Sequence, residues 1–442
     1  MNKKKTYGLL TAISMIVGIV IGSGIYFRAD DVFVYTNGNI GLGLLVLALG
    51  AMCITFGSLT LSTLAKRSEG PGGLVDYFST FVSEKMGAGF GWFQMLVYSP
   101  AISVIVGWAG AIYTFMLLGI ESTLLQQVLL GMSYNMFFIL LNVLSRKLGG
   151  YFQTIVTAIK IIPLILIAVY GIFFARPITD LSPSSLSFGQ EFSKFAWISA
   201  LVPLAYSYDG WAISLNIAAE VVNPKKNMTK ALVVSPIIIL SIYLAYIYGI
   251  GNMLGADRII ELGDSAIFEA GKMILGERLG NVLLAVVVLS VLGVTNGLNL
   301  GSIRMPQALA EKRMFPDKGL AYLDPDKMVS IKSAIFVAFL EIGWAFIHYF
   351  VMSKKLFGGR DISEISIVFS YLSYLILYKV AFDIIKKENK AKIIFPILAT
   401  LGSLMILIGS LIASPFYVSG FILISAFVMF LGYRYKAKIE KN

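Results

Sequence analysis

Histidine and cysteine are almost missing from this chain. Its 442 residues include one of each, His348 and Cys53. A single cysteine excludes a disulfide framework within the chain and any cysteine metal cluster. A single histidine argues against a histidine-ligated metal and against a histidine-based triad. No segment reads G-x-x-x-x-G-K-[ST], which argues against ATP-driven pumping by this chain alone. Charge is scarce too. Asp, Glu, Lys and Arg together make up 14% of the residues, against roughly 25% in an average soluble domain.

What the chain has in quantity is apolar surface. Hydrophobic residues make up 57% of it, and the mean hydropathy is +0.80. One soluble core cannot hide that much apolar surface, whereas lipid can solvate it. A bilayer core of about 30 Å needs about 20 helical residues. Segments of that kind lie at 7–28, 41–64, 88–118, 122–144, 151–175, 195–221, 230–254, 279–310, 331–352, 364–384, 391–414 and 416–434. The expectation is an all-α integral membrane protein of twelve transmembrane helices. The third and eighth are long enough to tilt strongly or protrude. The stretch 256–275 is too charged to span and reads as a short amphipathic surface helix. The start, MNKKKTYG, runs directly into a full-length span, with no cleavable signal evident.

The formal net charge is +11. With the N-terminus inside, about 26 of the 36 basic residues fall in cytoplasmic segments and about 9 outside. This is the positive-inside asymmetry. It places both termini in the cytoplasm of a multi-pass protein of the cell membrane, and it makes the basic balance a matter of topology rather than of nucleic-acid binding.

Two spans carry helix breakers. The first reads GIVIGSGIYF, with Gly18, Gly22, Ser23 and Gly24. The sixth reads LVPLAYSYDGW, with Pro203, Ser207, Asp209 and Gly210. They open two five-helix halves, residues 7–175 and 195–384, with residues 391–434 as a further pair of helices. Irregular backbone at membrane depth is tolerated where it lines a cavity, and paired breaks in two halves point to a substrate site. Unwinding at Gly22–Gly24 would free amides that suit a carboxylate. The carbonyls of Val20 and Ile21, with those of Tyr206, Ser207 and Asp209, would suit an ammonium group. The pair of breaks therefore fits a zwitterion, a free amino acid. The competing reading is that such glycines only let helices pack closely.

Three ionisable residues lie inside spans, where a charge costs roughly 2.5–3.5 kcal/mol. Lys160, in the middle of span five, could place an ammonium where another transporter would bind sodium, or form a structural pair with Asp209 or with carbonyls. Asp209 could cap the second half-helix or take a substrate or coupling role. Glu341, in span nine, could face a helix interface or carry a proton. Trp92 and Trp197 fit interfacial anchors, Trp108 fits packing, and Pro100, Pro163 and Pro236 fit kinks.

The residues IGSGIY (21–26), GPGGLVDYF (70–78), GWFQMLVYSPA (91–101), GGYFQTIVTAIKIIP (149–163), YSYDGW (206–211), EVVNPKKNMTKAL (220–232) and SVLGVTNG (290–297) together resemble the amino acid–polyamine–organocation (APC) superfamily. More narrowly, they are similar to the L-amino acid transporter branch and its bacterial serine/threonine and alanine–serine–cysteine exchangers. The resemblance covers nearly the whole chain. It implies a five-plus-five inverted-repeat fold with discontinuous helices 1 and 6 and two further helices. It implies that the amides of Ser23, Gly24 and Ile25 hold the substrate carboxylate, and that the carbonyls of Val20, Ile21, Tyr206, Ser207 and Asp209 hold the α-amino group. Tyr206 matches the family's aromatic gate. Lys160 matches a lysine standing in a sodium site, with Ser290 and Tyr243 beside it. Tyr206–Ser207 stand where Phe–Ala is common, and Val75 stands where a Tyr is usual.

The function expected is sodium-independent exchange of small or medium neutral L-amino acids by alternating access. Proton-coupled uptake by the same fold is the alternative. No cofactor is implied, and no catalytic residue. A membrane transferase would need clustered catalytic acids or histidines, and a channel would need a continuous polar pore. The partners expected are a free L-amino acid and the lipid bilayer. No obligatory partner chain is signalled, because Cys53 lies mid-span and is poorly placed for a bridge.

Overall fold

The structure is a computed structural model that describes residues 8–68, 73–145, 152, 155, 156, 159–175, 188–212, 221–324, 329–356 and 361–441. The expected motif residues 70–72, 149–151, 153, 154, 157, 158 and 220 lie outside the described residues. So does the second half of span six, residues 213–220.

Among the described residues the regular elements are all helical. The chain opens with α1 (Leu9–Val20), α2 (Ser23–Phe27), α3 (Ala29–Tyr35), α4 (Ile40–Ala65) and α5 (Leu74–Phe81). A 35-residue helix, α6 (Glu84–Leu118), and α7 (Leu124–Leu144) follow. Next come α8 (Ile162–Phe173), α9 (Phe188–Ser193), α10 (Leu201–Ser207), α11 (Pro224–Leu254), α12 (Ala256–Leu262), α13 (Ala266–Ser302) and α14 (Met305–Glu311). The chain finishes with α15 (Ile331–Ser353), α16 (Ser363–Glu388), α17 (Ile394–Ala413) and α18 (Pro415–Ile439).

Nine of the described helices are long and apolar enough to cross a membrane. Three shorter apolar helices, Leu9–Gly18, Ile162–Phe173 and Ala196–Ser207, fall where spans one, five and six were expected. At about 1.5 Å per residue α6 runs about 52 Å, well beyond a 30 Å hydrocarbon core. The 256–275 stretch is not one surface helix. It is α12, a short 3₁₀ turn over Gly263–Ser265, and the start of α13, which bends at Gly276 (φ +76°) into the eighth span.

Sequence signals account for several boundaries. Thr123 and Gln126 form a reciprocal capping box that starts α7. Asn39 and Ser83 cap α4 and α6 by accepting from Leu42 and Met86 amides. Pro100 has no N–H to give Leu96, one turn back. The helix widens into a π turn over Gln94–Tyr98 just before it, and the Trp344 indole donates to the Leu96 carbonyl at 2.8 Å.

The chain divides into two compact units. The first comprises Met1–Gly73, Lys160–Val287 and Ser370–Pro415; the second comprises Leu74–Ile159, Val288–Phe369 and Phe416–Asn442. In the first, α8 and α11 meet backbone to backbone: a Cβ on Gly171 would stand 2.2 Å from the Gly249 carbonyl oxygen. Small residues allow the same close approach in membrane helix pairs generally. In the second, Glu341 and His348 are buried on one face of α15, and Trp108 packs edge-on against His348 with ring centroids 4.6 Å apart. Trp108 is thus a packing residue, as expected. Trp197 is buried in the first unit, where its indole donates to the Phe192 carbonyl, so it does not stand at an exposed boundary. On α18, by contrast, Phe416 is 94% exposed and Leu423, Phe427 and Phe430 are exposed as well. Such an apolar face suits lipid.

Candidate substrate site

The first unit brings both expected breaks together. Helix α1 ends at Val20 because Ile21 (φ −71°, ψ 105°) and Gly22 (φ −151°, ψ −143°) leave the helical region, and α2 begins at Ser23. The interruption is therefore Ile21–Gly22, and Gly24 is already helical. The difference is physical: two non-helical residues are enough to free the last carbonyls of α1 and the first amides of α2. Those first amides belong to Ser23, Gly24 and Ile25. In span six, α10 ends at Ser207, a turn follows over Tyr208–Gly210, and Gly210 takes φ +93°.

The two breaks touch. A Cβ on Gly24 would stand 2.5 Å from the Ser207 Cα and 3.2 Å from both the Ser207 nitrogen and the Tyr206 carbonyl oxygen. No side chain fits there, so this glycine sets how closely α2 approaches α10.

The freed carbonyls have found donors. The Lys160 ammonium donates to the Gly18 carbonyl in the last turn of α1. The Tyr243 hydroxyl, from α11, donates to the Ser207 carbonyl at 2.9 Å and lies 3.4 Å from that of Val20. The Tyr206 carbonyl accepts the Asp209 amide at 3.0 Å. Each carbonyl oxygen keeps a second lone pair. Helix C-terminal ends carry partial negative charge, which is why a cation and a hydroxyl proton settle there. The Ser207 hydroxyl bonds back to the Pro203 carbonyl at 3.1 Å, so its donor serves its own helix.

Lys160 is not mid-helix. It sits in a turn immediately before α8, 1% exposed. Pro163, in the first turn of α8, has no N–H for the carbonyl of residue 159 and so marks the helix start. The Tyr26 hydroxyl donates to the Lys160 carbonyl at 2.6 Å, and the Tyr26 ring meets Tyr246 edge-on. The turn is thus held at both its ammonium and its carbonyl. Ser290 lies on α13 beyond Val287, in the second unit, where it is buried.

Sequence reasoning passed over Gly18 as an acceptor, and over Tyr26, Tyr208 and Arg28. The Tyr208 hydroxyl donates to the Leu47 carbonyl at 3.0 Å, and its ring lies 5.1 Å from that of Tyr243. Tyr26 closes the IGSGIY motif and Tyr208 stands inside YSYDGW, so membership of a motif was the one available signal. Cys53 is buried against Gly402, where a Cβ would stand 2.5 Å from its sulfur, and is packed too closely for a bridge.

The chain matches the amino acid permease family over residues 7–434. It belongs to that family. The resemblance carried by the quoted motifs is borne out by this match. This permease is 27% identical to the serine/threonine exchanger SteT of Bacillus subtilis, over 92% of each chain. It is 24% identical to the b(0,+)-type amino acid transporter 1 of Homo sapiens, over 98% of the permease and 89% of the relative. It is a multi-pass membrane protein that transports amino acids, and not an enzyme.

Proposed function

We propose that this permease exchanges small or medium neutral L-amino acids, independently of sodium, by alternating access. The proposal includes twelve spans in a five-plus-five inverted repeat, residues 7–175 and 195–384, with residues 391–434 outside it. It also includes a cell-membrane location with both termini cytoplasmic, and no obligatory partner chain.

The observation that carries it is the ammonium of Lys160 on the Gly18 carbonyl. A cation bound covalently to the chain there supplies the charge that a sodium ion would bring to the freed end of α1, so no ion gradient need fill the position. The substrate reading rests on the break itself. The amides of Ser23, Gly24 and Ile25 offer donors to a carboxylate, and the carbonyls of Val20, Ile21, Tyr206, Ser207 and Asp209 offer acceptors to an ammonium. Exchange is also what the name of the Bacillus subtilis relative states of that protein. Substrate held at both breaks would bias rocking of spans one, two, six and seven, all of which contribute to the first unit.

Purified permease in proteoliposomes is the test. Radiolabelled L-serine should enter only when unlabelled amino acid is loaded inside, with equal rates in sodium and potassium buffers. Entry into empty liposomes driven by a pH step would instead establish proton-coupled uptake.

A further inference from the structure

Arg28 ends α2 on the side away from the Ile21–Gly22 break, and nothing above gives it a task. It is 8% exposed. Its guanidinium carbon lies 5.1 Å from the centroid of the Tyr206 ring, within the range of a cation–π contact. Its backbone amide donates to the Gly24 carbonyl at 3.0 Å, so Arg28 is one helical turn from the residue that abuts Ser207. One Nη atom also faces the Asp31 carboxylate at 3.3 Å, on the next turn. Tyr206 is itself 6% exposed.

Helix α2 therefore grips the end of α10 twice. Gly24 meets the backbone of Tyr206 and Ser207, and Arg28 meets the ring of Tyr206. The two contacts are one helical turn apart, about 6 Å. A residue held by its backbone and by its ring cannot swing independently of the helix that holds it. A guanidinium suits this task, being planar, always charged and weakly hydrated, and so it stacks on an aromatic face at small desolvation cost.

We propose that Arg28 is a positioning residue that pins the Tyr206 ring to α2, so that the Ser207 backbone, against which Gly24 packs, is uncovered only when α2 and the ring part. The role as a cover rests on the substrate-site reading above, but the contact and its test do not need transport. The Arg28 side chain acts through the Tyr206 ring. An approach along the pinned face meets a cation already seated on the ring, and α2 and the end of α10 travel as one piece.

The test is chemical access to position 207 in purified protein in detergent micelles. In a Cys53→Ala background carrying Ser207→Cys, the rate of labelling by a maleimide reports how often α2 parts from the end of α10. Arg28→Met, of similar length and without charge, should label about three- to thirty-fold faster, the factor expected from loss of one partly desolvated cation–π contact. Arg28→Lys keeps a cation without the planar guanidinium and should label at a rate between those of the parent and Arg28→Met. An unchanged rate in Arg28→Met overturns the proposal, and so does an Arg28→Lys rate as fast as that of Arg28→Met. Should Arg28→Met fail to give monodisperse protein, the ring is varied instead. Tyr206→Leu should label faster and Tyr206→Phe should not, and equal rates for these two overturn the proposal as well. Because labelling needs no substrate, a failed exchange assay and a failed pin are separate results.

Discussion

The hydroxyl of Tyr243 donates to the carbonyl oxygen of Ser207 at 2.9 Å and stands 3.4 Å from that of Val20. One buried phenol from α11 thus ties the C-terminal ends of both interrupted helices. The hydroxyl has a single proton, so it serves Ser207 first and leaves Val20 the weaker partner.

Tyr243→Phe removes that tie and nothing else of the ring. A hydrogen bond of this kind contributes about 0.5–1.5 kcal/mol, and leaving a buried acceptor without a donor costs about 1–3 kcal/mol. The expected outcome is a fall in exchange rate of about tenfold with the protein still folded. Initial rates in proteoliposomes, set beside a melting curve, check it. A rate equal to the parent's removes Tyr243 from the site.

Lys160→Met leaves the Gly18 carbonyl without its cation. Substrate affinity should change little, because the ammonium lies a turn before the break. The step that returns the carrier should slow by about tenfold or more, which corresponds to about 1.4 kcal/mol of barrier. Equilibrium binding of labelled L-serine against exchange turnover separates the two effects. Unchanged turnover would end the reading of Lys160 as a built-in cation.

Gly24→Ala drives a Cβ to within 2.5 Å of the Ser207 backbone, which cannot move aside as a side-chain tip could. Overpacking of this kind costs about 1–3 kcal/mol. The breaks should be forced apart and substrate affinity lost. Titration of L-serine against the melting temperature is the check, and ligand-induced stabilisation equal to the parent's would refute the carboxylate site.

Glu191 tests a different part of the first unit, outside the spans. Its carboxylate accepts from the Lys194 ammonium at 2.9 Å and from the Asn37 amide at 2.9 Å. These bonds, that of Lys194 foremost, hold its pKa below the ordinary glutamate value. A carboxylate depressed in the folded state stabilises the fold above its unfolded pKa and loses that contribution as the pH falls through the folded value. Glu191→Gln should therefore melt below the parent at neutral pH, and the gap should close on acidification below the usual carboxylate range. A gap of constant size at every pH would show that the charge plays no part.

How much was legible beforehand differs by element. The long spans were legible because twenty apolar residues report their own environment. The break in span one was legible from Gly22 and Gly24, yet its position shifted to Ile21–Gly22, since glycines permit a departure from helix without fixing where it falls. Lys160 lies between helical residues, as its mid-span place implied, but in a turn, which hydropathy does not register and Pro163 imposes. The surface helix over 256–275 divided at Gly263–Ser265 and bent at Gly276, where backbone geometry outweighs an apolar pattern.

The sequence by itself determined a membrane-embedded, helical chain with two interrupted spans and the motifs of a permease. Those features are local: composition, periodicity and helix breakers act within a few turns of the residues that carry them. Tertiary structure alone decided the partners. Lys160 could have paired with Asp209 and instead meets Gly18, 142 residues away. Tyr243 reaches Ser207 across 36 residues, and Arg28 finds the ring of Tyr206. Freed carbonyls at a helix end accept any donor that packing delivers, and packing is settled only when distant helices come as close as Gly24 allows.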